Sequence, residues 1–156
     1  MSNKKLENLI RHINNVQDAT QRLGEYLIEN NEEDLGLKLI ANGRIHDNSK
    51  FKGIEWDYLH ADMKEEKPEL FKLAAKQHIE TNPHHPEYWI GGIKAMHEVY
   101  VAEMVCDWYA RSIEFGDNVW EWAKDRAAEK YGYSTSSPIY REIKRYLENL
   151  LEPAFK

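Results

Sequence analysis

Imidazole and carboxylate groups recur at five places along the chain: His12, the adjacent pair His46 and Asp47 with Lys50 just beyond, His78, the doublet His84-His85, and Asp107. Imidazole nitrogen and carboxylate oxygen together make the ligand set of zinc, manganese, iron and cobalt. A divalent cation of this kind lowers the pKa of water from about 15.7 to roughly 7 and polarises a phosphoryl oxygen, so these residues suit metal-assisted hydrolysis. Asp107 carries the strongest individual signal. It stands among Met104, Val105, Cys106, Trp108 and Ala110, and a carboxylate buried without a partner is costly. His12 alone would be an ordinary histidine at the edge of an apolar stripe, and His46-Asp47 alone an ordinary helix end. The set together favours a cation.

Several helices are needed to gather residues so far apart. Leu6, Leu9, Ile10, Ile13, Val16, Leu23 and Leu27 recur every three or four positions, which predicts a long helix over 4–29 with His12 at the border of its apolar face. Leu35, Leu37, Leu39, Ile40 and Ile45 predict a second helix that ends at His46-Asp47. Neighbouring helical residues point about 100° apart, so this pair can serve one ion only where the helix unwinds. Residues 53–66 read as a short amphipathic helix, and Pro68 opens the next, with His78 near its end. Pro83 and Pro86 hold His84 and His85 on an irregular loop. A second long candidate helix runs over 91–115 and stops at Gly116. Another runs from Asp117 as N-cap to Gly132, and a last one from Ser137-Pro138 to Pro153. No segment alternates with period two. The expectation is an all-α fold, a single-domain bundle of about six to seven helices over residues 1–156, in which a metal site is built from facing helices.

Composition narrows the partners. The 156 residues suit one domain. A net charge of −6 argues against tight capture of duplex nucleic acid, which relies on many cations to neutralise phosphates. No apolar run approaches the ~20 residues that cross a bilayer, and no secretory segment opens the chain. The single cysteine, Cys106, has no intramolecular partner. A cytoplasmic protein acting on a small molecule fits these facts, and amphipathic helices with five tryptophans leave room for a homo-oligomer. His97 is set aside: ten residues before Asp107 on one predicted helix, it lies ~15 Å away along the axis. His60 reads as solvated.

The order His, His-Asp, His, His-His, Asp, with "HDNSKF", "NPHHPEYW" and "EMVCDW", resembles the HD-domain superfamily of metal-dependent phosphohydrolases, in particular a small phage and bacterial branch. The resemblance spans roughly residues 12 to 112. It implies a helical HD-like domain, a primary metal site of His12, His46, Asp47 and Asp107, and a second ion held by His78 with His84 or His85 and bridged by Asp47. The short gap from His78 to His84 and the lack of a Gly-Tyr-Pro signature separate this chain from cyclic-dinucleotide phosphodiesterases. The implied activity is hydrolysis of a small phosphoester, a nucleotide by analogy, using one or two ions of manganese, iron, cobalt or zinc. Asp47, Lys50 and Glu103 would be the catalytic residues, Lys50 meeting the phosphate as a point charge and Glu103, one turn before Asp107, orienting a ligand or acting on water. Arg44 and Trp89 would assist binding, Arg44 on the phosphate or on Asp47, and Trp89 or Tyr88 against a flat base. Two rivals share the ligand set: an HD-type di-iron oxygenase, and a non-catalytic protein whose bundle a metal staples.

Overall fold

Apolar spacing builds the first helix. α1, Ser2–Glu29, presents Val16, Ala19, Leu23 and Leu27 inward with no exposed surface. The computed structural model describes the backbone of residues 2–151 and side chains from Lys4 to Leu151. Among these residues the fold is an all-α single-domain helical bundle without a strand. α2, Glu33–Ile45, returns antiparallel against α1 after a left-handed residue at Asn31, φ 66°. The two helices approach closely because Gly24, Gly36 and Gly43 face the partner: a Cβ on Gly36 would sit 2.5 Å from the Gly24 carbonyl oxygen. Gly36→Ala therefore sets a helix-propensity gain of about 1 kcal/mol against overlap with backbone that cannot swing away. A net loss of about 1–3 kcal/mol is expected, read as a lower denaturant midpoint at unchanged m-value.

α6, Glu98–Phe115, is the central helix; Val101, Ala102, Met104, Val105, Cys106 and Ala110 are buried, and α1, α2 and α9, Pro138–Leu151, pack around it. α7, Val119–Glu121, continues through a π turn at Trp122–Arg126 into α8, Ala127–Tyr131. α3, Gly53–Tyr58, α4, Ala61–Glu66, and α5, Pro68–Thr81, pack on one another as an arm beside the bundle. No helix among the described residues is long and apolar enough to cross a membrane.

Three boundaries differ from the sequence reading. Residues 53–66 form two helices because His60 is extended, φ −150°, ψ 161°. The helix expected over 91–115 begins only at Glu98: Gly92 takes φ 70°, a 3-10 turn covers Gly92–Ala95, and Met96 and His97 are extended. Asn118, not Asp117, caps α7, its side-chain oxygen accepting from the Trp120 and Glu121 amides at 2.9 and 3.2 Å. The end expected at Pro153 lies outside the described residues. Gly116 and Gly132 stop their helices as expected, at φ 70° and 75°.

Candidate metal centre

The end of α2 decides the site. His46 leaves helical geometry at ψ 131°, and Asp47 follows in the left-handed region at φ 55°, ψ 24°. Asp is one of the few residues that visit this region readily. The change of direction lets neighbouring side chains, which a continuing helix would splay apart, face the same place. There α1 supplies His12, α5 supplies His78, the loop before Pro86 supplies His84 and His85, and α6 supplies Asp107.

Asp47 sits at the centre, with each oxygen facing a different set. Its Oδ2 lies 3.5 Å from His12 Nε2, 3.5 Å from His46 Nε2 and 3.0 Å from Lys50 Nζ. Its Oδ1 lies 3.2 Å from His78 Nε2 and 3.3 Å from His84 Nε2. Asp107 closes the first set, its Oδ1 at 2.9 Å from His12 Nε2 and 3.7 Å from His46 Nε2, while its Oδ2 stands 3.6 Å from His84 Nε2. The His85 ring is 4.3 Å from that of His84 and 5.0 Å from that of His78, centre to centre. Potential donor atoms of Asp47, His78, His84 and His85 lie within 4.8 Å of one another, as do those of His12, His46 and Asp47, and those of His46, His84 and Asp107.

Glutamates, Glu55 and Glu103 buried and Glu114 half-buried, hold the rings from behind. Glu114 accepts from His12 Nδ1 at 2.9 Å, and Glu55 from His78 Nδ1 at 2.6 Å. One Glu103 oxygen lies 2.8 Å from His46 Nδ1 and 3.1 Å from His84 Nδ1. An Nδ1–H given to a carboxylate leaves the Nε2 lone pair facing inward, the tautomer a metal ligand needs. The inward atoms His12 Nε2, His46 Nε2, His84 Nε2, His85 Nε2, Asp47 Oδ1 and Asp107 Oδ1 are buried and have no hydrogen-bond partner. Buried Nε2 atoms facing carboxylate oxygens at these distances require a proton or a cation between them, and nitrogen and oxygen donors suit a divalent transition metal. The donor set fits such an ion.

Electrostatics agree. Burial opposes charge on His12, but Asp107, Asp47 and Glu114 outweigh it and raise the imidazole to about 10. Burial is likewise outweighed at His46, raised to about 10 beside Asp47, Asp107 and Glu103, and at His84, raised to about 9 by Asp47 and Glu103. His85 goes the other way, down to about 3, through burial and the neighbouring His84. Asp47 and Asp107 stay well below the usual carboxylate range: burial pushes upward, but the histidines and, for Asp47, Lys50 prevail. A divalent ion held by His12, His46 and His84 at neutral pH would displace the protons that these raised values leave on them. Uptake is expected to release up to about three protons per chain, and apparent affinity to rise with pH. Titration calorimetry in buffers of different ionisation enthalpy measures that release.

The structure thus gathers His12, His46, Asp47, His78, His84, His85 and Asp107, with Lys50 on Asp47. Both members of the histidine doublet stand at the centre, where the sequence reading left open which of His84 and His85 serves. Other assignments need correction. Arg44 is exposed, and its guanidinium donates to Gln21 Oε1 at 2.9 Å, away from the carboxylates. Trp89 spends its indole N–H on the Pro83 carbonyl at 2.8 Å and packs 4.7 Å from the His97 ring, so it braces the histidine loop rather than lining the cavity. Glu103 is buried behind two histidines, which suits the first of its two expected roles, orienting a ligand, and not the second, acting on water beside the substrate. Tyr88 is exposed, and His60, read as solvated, contributes to the cavity wall.

Glu55 and Glu114 were not foreseen. Glu114 had a signal: with Glu103 and Asp107 it repeats at four and seven residues along α6, one helical face. Glu55, on the short α3, had none. A cavity of about 630 Å³ opens onto this centre, reaching Asp47, Lys50, His12 and Asp107.

No curated protein and no solved structure matches the chain. A family model matches residues 1–153, so the chain belongs to the family described as a family of unknown function, DUF5662.

Proposed function

We propose that this member of a family of unknown function is a metal-dependent phosphohydrolase acting on a small phosphoester, with its centre arranged like that of an HD domain. The observation that carries the reading is Asp47, which turns one oxygen to His12 and His46 and the other to His78 and His84, at the floor of a cavity. One carboxylate placed between two nitrogen-rich sets is the arrangement that serves two cations. Divalent ions there would supply acidified water and charge against a phosphoryl oxygen. The chain's own residues do the rest. Lys50, paired with Asp47 at 3.0 Å and lining the cavity, presents a cation to the substrate phosphate. Glu103, Glu114 and Glu55 hold the rings at Nδ1 and so keep each Nε2 aimed inward. The resemblance puts nucleotides among the substrates to assay.

The test is a panel of nucleotides and other phosphoesters with manganese, iron, cobalt, zinc and magnesium, run beside His46→Ala and Asp47→Ala. Metal-dependent release of phosphate by the wild type and its loss in both variants is the expected result. Equal rates in all three proteins would overturn the reading. The second histidine set of His78, His84 and His85 also favours a di-iron oxygenase. Two irons in anaerobically purified protein, oxygen uptake with a substrate and silence toward every phosphoester would select it.

A further inference from the structure

We infer that the cavity selects a phosphomonoester with a compact apolar body, an aryl or branched alkyl group, over one carrying a sugar; the phosphate end of this inference rests on the proposed hydrolase reading. The apolar part of the wall is built by Leu9 of α1, Trp56 and Leu59 at the end of α3, and Phe71 and Ile79 of α5. All of them are half-buried. They converge on one space, in an arm whose fully buried apolar side chains number few, so their uncovered surface faces the cavity more than a core. The volume of about 630 Å³ is far larger than a phosphate alone requires and lies within the range of small-molecule sites.

Trp56 is fixed in place. Lys5 Nζ donates to its carbonyl oxygen at 2.9 Å and stands 3.8 Å over its ring, tying α1 to α3. An immobilised indole offers a flat apolar face at little cost in entropy. The polar groups of the wall tell the same story. A ribose or polyol needs acceptors for its hydroxyls, yet the lining carboxylates are committed. Glu55 is engaged by His78, Ser49 and Gln77 at 2.6, 2.9 and 3.2 Å. Glu114 is engaged by His12, Asn15 and Arg111 at 2.9, 3.1 and 3.1 Å. Asn8 is the one neutral amide in the described lining. Of the lining cations, Lys5, Arg11 and Arg111 are likewise engaged, on the Trp56 carbonyl, the Glu114 carbonyl and the Glu114 carboxylate, so apolar surface finds a ready wall where sugar hydroxyls find most polar groups already paired.

The test is binding, not turnover. Manganese-loaded protein is titrated calorimetrically with (1-naphthylmethyl)phosphonate, methylphosphonate and adenosine 5′-monophosphate. The naphthyl compound is expected to bind about tenfold or more tightly than methylphosphonate and more tightly than the nucleotide. Trp56→Ala, and separately Leu59→Ser, should shrink that preference and leave methylphosphonate binding and manganese content unchanged. Equal binding of naphthyl and methyl compounds, tighter binding of the nucleotide, no binding of either phosphonate, or a preference untouched in both variants would overturn the inference. Its fate is separable from that of the hydrolase reading. A naphthyl preference in a protein silent toward every phosphoester supports the selectivity and sinks the reaction, and hydrolysis without the preference does the reverse.

Discussion

Asp47→Ala is expected to empty the centre: bound metal falls below about a tenth of the wild-type content, and any phosphoester hydrolysis falls by about a thousandfold or more, roughly 4 kcal/mol of lost transition-state stabilisation. Glu103 and Asp107 also reach both sets, but meet the second through His84 alone, whereas Asp47 meets His78 as well. Removing Asp47 takes one oxygen from His12, His46 and Lys50 and the other from His78 and His84 in a single step. The ammonium of Lys50 is then left partly buried without its carboxylate, and breaking such a pair costs about 3–5 kcal/mol. Asp47→Asn separates the two consequences, since it preserves shape and removes charge. Elemental analysis gives the metal content and calorimetric melting the stability. Full metal content in either variant would show that the ions, if bound, sit elsewhere.

The second large effect belongs to a residue that faces no substrate. Glu103→Ala frees Nδ1 of both His46 and His84, so each ring can turn or take the wrong tautomer. Loss of one such partner typically weakens metal affinity about 10–100-fold, and here one carboxylate serves both sets of ligands. The loss is expected at the upper end of that range, measured by competition with a chelator. Glu114→Ala is the internal comparison, because among the histidines Glu114 holds His12 alone. A Glu114→Ala loss exceeding that of Glu103→Ala would contradict this ranking. Glu103 is itself held in the charged form: burial opposes ionisation, but the hydrogen bonds from His46 and His84 prevail and lower its pKa.

Much of this centre was legible in the chain because metal ligands are chemically distinctive. Histidines at 12, 46, 78, 84 and 85 and aspartates at 47 and 107 draw attention by type alone, and prolines at 83 and 86 mark the loop that carries two of them. What spacing could not show was direction. Arg44 sits one turn before Asp47 and Asn48, yet the chain turns left-handed at Asp47 and leaves the arginine on the exposed face of α2. Trp89 follows the histidine doublet, but its indole N–H is spent within its own loop. Glu55 was illegible because it reaches His78 across 23 positions from a six-residue helix, a contact that only tertiary packing creates. The same limit governs the helix expected over 91–115. Apolar period persists through Ile93 and Met96, but Gly91-Gly92 permits a turn at φ 70°, and those side chains reach the core from a 3-10 turn and an extended residue.

Anomalous scattering from crystals of protein purified without chelator tests the central claim most directly. A transition-metal peak is expected within bonding distance of His12, His46, Asp47 and Asp107, and, where a second ion is present, another on Asp47, His78 and the histidine doublet. A map in which those Nε2 atoms meet only water or carboxylate, from protein that elemental analysis finds free of transition metal after growth in metal-supplemented medium, would contradict it.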